Sequence, residues 1–396
     1  MYSSPLETRT TPHSLTHLVL HRWLVLGYLA LLTGMFWIPS GSLYTKVFYG
    51  FIAAPALLGL VTAPRRFMAL IREPVMLSFL ALTVWLLLSL AWTRADEGAS
   101  SLAKRPLYVF MLFAGCSFIA LSNRDTLLKT LRIGAGLAAI AALVNLYLFF
   151  TVPPEEGRLI GTGALRNPLL TSHILGAFCA YWLAAWIVRD LRQDWLPLLL
   201  VLILTAALIA TGSRTPLMAL GLTSVWMLAM NPRRATYAVA IGVVAAILCL
   251  LFYPDILLQR GASYRPQIWS DALHQAREHL WLGHGFNSSF TFTAEGLLDF
   301  TLSDPHNIEL AVLLELGLVG LAIWLLMFGL GLLRCLNQRR DKGFQIASAM
   351  VVYGLGAGLT EGSSFLSRPN ESWFLIWIPL SLVVALSVSQ RCQESR

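Results

Sequence analysis

The stretch Asp304-Pro305-His306-Asn307 has the residue types needed to move a proton. It opens a long apolar run, so Asp304 is expected to cap a helix and Pro305 to take its first position. His306 then falls in the first turn, where the helix dipole disfavours the imidazolium and favours the neutral ring that a general base requires. Glu309 lies one turn deeper on roughly the same face and is placed to orient that ring. Further along, Gly317 and Gly320 would let a neighbouring helix approach closely. Taken alone, a histidine at a helix start also serves as an interfacial anchor.

Three arginines have the chemistry to hold an anion. Pro266 suits the first position of a helix, which leaves Arg265 beside free backbone amides, with Arg260 five residues earlier. Two guanidinium groups at a positive helix end make a good diphosphate site; the alternative is that they pair with Asp255 or Asp271. Arg214 sits in Thr211-Gly212-Ser213-Arg214-Thr215-Pro216, a turn between two short apolar runs. A hairpin that short holds Arg214 slightly below a membrane surface, a costly depth unless it is paired or lines a wet cavity.

The long apolar runs around these groups are the elements expected to position them. Of 396 residues, 57% are hydrophobic and 13% charged, and the mean hydropathy is +0.66; soluble domains carry about 25% charged residues. Runs such as Trp195–Thr211, Thr236–Tyr253, Leu310–Leu333 and Trp373–Ser389 approach the ~20 residues that cross a hydrocarbon layer as a helix. They lack the strict alternation of barrel strands. The expected fold is therefore a single all-α integral membrane domain over 1–396, with about twelve transmembrane helices. These lie near 22–38, 43–62, 74–92, 105–121, 131–151, 171–188, 195–211, 216–230, 235–253, 307–333, 344–360 and 372–389. The first is read as an uncleaved span.

Arginine and lysine orient the spans. Arg65, Arg66 and Arg72, then Arg124, Lys129 and Arg132, then Arg233 and Arg234, then Arg339, Arg340 and Lys342 fall in loops on the side of the N-terminus, which becomes the cytoplasmic side. The outer side receives a loop of more than fifty residues, Pro254–His306, with a helical pattern of its own. Ile268, Trp269, Ala272, Leu273, Ala276 and Leu280 recur on one face, as in an amphipathic helix at the membrane boundary. The net charge of +8 thus reflects orientation and contact with anionic membrane lipids. The scattered basic residues argue against nucleic acid. Cys116, Cys179, Cys249, Cys335 and Cys392 show no metal-ligand spacing and none lies in a long outer loop, so neither a disulfide nor a metal site is expected. The absence of internal repeats and of mid-membrane charges argues against a transporter.

His306-Asn307, nine residues, then Gly317-Leu318-Val319-Gly320 resembles the signature of the O-antigen ligases: a His and an Asn, Ser or Gln, nine variable residues, a Gly, two residues, and Gly, Thr or Tyr. Thr211-Gly212-Ser213-Arg214 looks like the family's Ser-Arg turn and Tyr264-Arg265-Pro266-Gln267-Ile268-Trp269 like its Arg-x-x-x-Trp helix start. Trp281-Leu282-Gly283-His284-Gly285 is similar to its Gly-x-Gly turn, and Gly157-Arg158 through Asn167 to an upstream element. The likeness is strong over residues 205–335, and before 150 only the helical count matches. The wider group includes O-antigen polymerases and protein O-oligosaccharyltransferases.

The resemblance implies a glycosyltransferase of the Gram-negative inner membrane, with its site on a large periplasmic loop containing helices. It also implies O-antigen polysaccharide on undecaprenyl diphosphate as donor, a sugar hydroxyl of lipid A–core as acceptor, and neither metal nor other cofactor. In that reading Arg214 and Arg265, supported by Arg158 and Arg260, grip the diphosphate, and His306 is the base. Asn307, Glu309, Gly317 and Gly320 support them.

Overall fold

The computed structural model describes residues 22–189, 195–252, 265–292, 302–362 and 364–394, and among them the chain is helical with no strand. Every apolar segment picked out above coincides with a helix. In chain order these are α1 (Leu24–Thr33), α2 (Gly41–Thr62), α3 (Pro64–Ile71), α4 (Pro74–Ser89), α5 (Ala99–Ser122), α6 (Arg124–Thr151) and α7 (Pro168–Val188). Then follow α8 (Leu196–Ala210), α9 (Thr215–Met230), α10 (Pro232–Phe252), α11 (Arg265–Glu278), α12 (Ile308–Asn337), α13 (Lys342–Gly358) and α14 (Trp377–Glu394). Six of the described helices are long and apolar enough to cross a membrane, or seven if the pair α3 and α4, bent by 81°, forms one span. The first apolar stretch and helices α8 and α9 are apolar but shorter.

Helix starts are set by polar caps. Asn123 accepts from Thr126 N, Asn167 from Leu169 N, Asn307 from Leu310 N and Asp341 from Gly343 N, each satisfying an amide that the helix cannot. Helix α7 is the hub, buried on nearly all faces and packed against α8, α13 and α9. A second layer forms where α14 meets α5 and α12 meets α4. Its centre is aromatic: Trp324, Trp377, Phe79, Phe113 and Phe365 meet edge to face with centroids 5.2–6.3 Å apart, the arrangement that ring quadrupoles favour. Helix α10 lies outside, with Ile241, Val243, Val244, Ile247 and Leu251 exposed; such a face suits lipid.

Helix α12 is broken. Gly317 takes φ +66° and ψ −170°, a conformation open in practice to glycine alone. The break frees backbone groups in a buried place, and the segment before α12 together with Trp85 of α4 supplies their partners. His284 N and Gly285 N donate to Leu314 O and Glu315 O at 2.8 and 2.9 Å, and the Trp85 indole donates to Leu316 O at 2.9 Å. On the far side, Leu318 N donates to Leu280 O at 2.9 Å and Val319 N to Trp281 O at 3.4 Å. The backbones press so closely that a Cβ on Gly317 would lie 2.3 Å from Trp281 O, and one on Gly283 2.4 Å from Glu315 O. Gly317 does permit close approach, but of a turn rather than of a neighbouring helix. A Cβ on Gly320 would meet Leu316 Cβ at 2.2 Å across the same break.

Helix α11 lies against the first turns of α12. Its Ile268, Ala272 and Ala276 are buried with Leu313, Leu314 and Phe292, while Leu273 and Leu280 stay exposed. The apolar face read from the sequence is thus real but narrower, and it covers protein. Phe292 and Leu302 exchange backbone hydrogen bonds of 2.7 and 3.1 Å, pinning the chain just ahead of Asp304.

Candidate functional site

Three chain segments converge at the start of α12. Asn307 caps that helix through Oδ1 and donates from Nδ2 to Leu359 O at 3.0 Å, tying it to the end of α13. The next residue on that side, Thr360, meets Thr215 at the start of α9 with hydroxyls 3.0 Å apart. On the other side Trp269 of α11 donates its indole N–H to Pro305 O at 3.0 Å. One end of the bundle therefore gathers the starts of α9, α11 and α12 with the end of α13.

His306 lies outside the helix. Asn307, not Asp304, is the cap, and the helix begins at Ile308, which leaves Pro305 and His306 in the preceding turn. His306 holds φ +49°, an uncommon value for a non-glycine residue, supported by a 2.7 Å hydrogen bond from its N–H to Asp304 Oδ1. The strained turn aims the ring at Glu361. Imidazole Nδ1 lies 3.6 Å from Glu361 Oε2 and 3.9 Å from Asp304 Oδ1. At 3.6 Å the first contact is an ion-pair distance, just beyond a hydrogen bond, and among the described residues neither Nδ1 nor Oε2 has a hydrogen-bond partner.

Glu361 is almost sealed from solvent, its side chain only 4% exposed. Its other oxygen, Oε1, accepts from the Arg265 guanidinium. A buried carboxylate needs such a partner, since the cost of burying charge is offset only by pairing. The sequence reading missed this residue. Its one signal was an ionisable side chain directly after the apolar run of α13.

The electrostatics of His306 run opposite to the expectation from a helix dipole. The Glu361 carboxylate facing Nδ1, with Asp304 behind it, raises the His306 pKa above the ordinary histidine value, against partial burial and the Arg265 charge. The ring is outside the helix, so two carboxylates rather than the dipole set its charge.

Arg158 donates from Nε to Thr211 O at 2.8 Å, and Leu159 N donates to Ala210 O at 2.9 Å, so the upstream loop is laced to the turn that carries Arg214. Arg214 is partly exposed at the start of α9, one residue from the Thr215–Thr360 contact. The structure thus brings Arg158, Arg214 and Arg265 to the same end of the bundle as His306. Arg260 lies outside the described residues. Glu309 stands in the first turn of α12 with its Oε2 buried and no hydrogen-bond partner among the described residues, and the carboxylate facing His306 is Glu361.

This arrangement can take up a proton. With Nδ1 turned to Glu361, the opposite ring nitrogen is the acceptor, and the carboxylate stabilises the imidazolium that forms. Arginines on the same rim can stabilise an anion as it leaves.

A family model described as O-antigen ligase matches residues 199–325, a span that includes Arg214, Arg265 and His306. The chain is also 42% identical, over 386 residues, to an O-antigen ligase of Pseudomonas aeruginosa, a match covering 97% of this chain and 95% of that protein. Likeness at that level over nearly the whole length, with the motif residues gathered in space, makes this enzyme a member of the O-antigen ligase family.

Proposed function

We propose that the protein is a multi-pass inner-membrane glycosyltransferase that moves O-antigen polysaccharide from undecaprenyl diphosphate to a sugar hydroxyl of lipid A–core. Its site would face the periplasm, on the 254–306 loop and the helix ends beside it. Basic residues in the short loops of the opposite side support that orientation. The twelve-span count is part of the same reading, with the shorter apolar helices crossing beside the longer ones.

The observation that carries the mechanism is the chain of contacts from His306 through Glu361 to Arg265. His306 accepts the proton of the acceptor hydroxyl as that oxygen attacks the anomeric carbon. The new carbon–oxygen bond forms while the bond to the diphosphate breaks, and the leaving group departs with the electron pair. Arg214 and Arg265, with Arg158 and Arg260, hold and stabilise the diphosphate. A single displacement inverts the anomeric centre. Catalysis rests on positioned side chains, so no cofactor enters the scheme.

Reconstitution of the full chain with defined carrier-linked glycan and lipid A–core tests the reading. The expected product is glycan on lipid A–core with inverted configuration and free undecaprenyl diphosphate. Product that keeps the lipid carrier and grows by repeats would instead identify a polymerase. In cells, loss of the gene should remove every capped lipopolysaccharide chain, whereas loss of a polymerase leaves single-repeat caps.

A further inference from the structure

A cavity of about 210 Å³ opens beside the proton-accepting turn. Its walls come from the two segments that carry the catalytic pair: Ser303 and Pro305 precede His306, and Ser364 and Phe365 follow Glu361. The other polar walls are Arg105, Asn287, Ser288, Ser289 and Glu315. None of Arg158, Arg214, Arg265 or His306 lines it, so it is distinct from the arginine rim.

Its polar groups are already fixed. Arg105 ion-pairs with Glu97, donates from Nη1 to Asn287 Oδ1 at 2.9 Å and to Leu366 O at 3.2 Å, and lies over the Phe286 ring at 5.5 Å. The Asn287 N–H donates to Glu315 Oε2 at 2.6 Å. Because Oδ1 of Asn287 accepts from the arginine, its amide nitrogen is left as a donor. Asn287 holds φ +61°, a conformation asparagine tolerates better than most residues.

Charge selects the occupant. An anion entering beside Arg105 would find the charge of that arginine already paired with Glu97. A cation would meet the guanidinium itself. A neutral polyhydroxyl group meets fixed donors and acceptors on adjacent walls and needs no net charge. The volume falls below the ~300–1,000 Å³ of drug-sized sites, enough for a single sugar ring and not for a glycan chain.

We propose that this cavity is a saccharide subsite, holding one sugar ring of the acceptor so that its hydroxyl reaches His306. This rests on the glycosyl-transfer reading above, and assigns the acceptor side of it to Arg105, Asn287 and Glu315.

Two variants of the full-length protein test it. Asn287→Gly removes the side chain while tolerating the positive φ and keeping the backbone bond to Glu315. Ser303→Phe fills the cavity from its exposed lip. With carrier-linked glycan and lipid A–core, each should raise the acceptor KM by about tenfold, the loss of one or two hydrogen bonds, and leave the donor KM unchanged. Unchanged acceptor KM in both variants, or equal rises for donor and acceptor, would overturn the subsite. Binding of delipidated core oligosaccharide to the purified protein separates this failure from failure of the reaction scheme, since it needs no donor and no turnover. Binding by the unmodified protein that is weakened in both variants supports the subsite whatever the products of turnover, and equal binding in all three overturns it.

Discussion

Glu361 and His306 face each other across 3.6 Å, each with an atom that has no hydrogen-bond partner among the described residues, at the meeting of two helix ends. Arg265 holds the other oxygen of the carboxylate, so the glutamate is fixed from one side and open to the imidazole on the other. Gaining a proton turns the 3.6 Å contact into a full ion pair. In the proposed reaction the stabilisation therefore arrives as His306 takes the proton, which is where it accelerates a reaction.

The pair predicts a specific pH dependence. Activity carried by the neutral ring rises with pH through the His306 pKa, which Glu361 holds above the ordinary value. Glu361→Gln removes the charge, so the acid limb of the rate profile should move to lower pH while the maximal rate falls by at least about tenfold. An acid limb that stays in place would show that the carboxylate does not govern the ring.

Gly317 and Gly329 lie on the same helix and should respond in opposite ways to alanine. At Gly317 the backbone is at φ +66° and a Cβ would meet Trp281 O at 2.3 Å, whereas at Gly329 nothing lies within 4 Å. Gly317→Ala should lower stability by more than about 2 kcal/mol. Gly329→Ala should be neutral or stabilising by up to about 1 kcal/mol. Thermal unfolding in detergent measures both.

The arginine rim should act on the donor. Arg214→Ala is expected to weaken binding of a carrier diphosphate by roughly tenfold, the loss of a charge-assisted contact. Arg158→Ala should do so more mildly by loosening the turn it tethers through Thr211 O. Arg166, exposed and bonded to Pro39 O, is the control and should leave affinity unchanged. Equal affinity for Arg214→Ala and Arg166→Ala would reduce Arg214 to an interfacial anchor.

Helix positions and the motif residues were legible in the sequence because both are local. Apolar length marks a helix, and His306, Arg265 and Arg214 stand out by type and spacing beside prolines and turns. The geometry between them was not legible. Glu309 was expected to orient His306 because helical spacing places them one turn apart, but that phase applies only within a helix. His306 precedes α12 with φ +49°, which takes its ring out of register with Glu309. Glu361 was missed because its contact depends on α13 returning alongside α12, with Asn307 bonded to Leu359 O to fix the register. Gly317 was identified as a position of close approach, yet the break it makes depends on backbone partners from the distant turn 280–285.

Initial rates of transfer from carrier-linked glycan to lipid A–core, with purified protein and with His306→Ala, test most directly whether this ring is the base. Turnover should fall by about 10²–10⁴-fold, the usual contribution of a positioned base, with donor binding retained. Turnover close to that of the unmodified protein would contradict it.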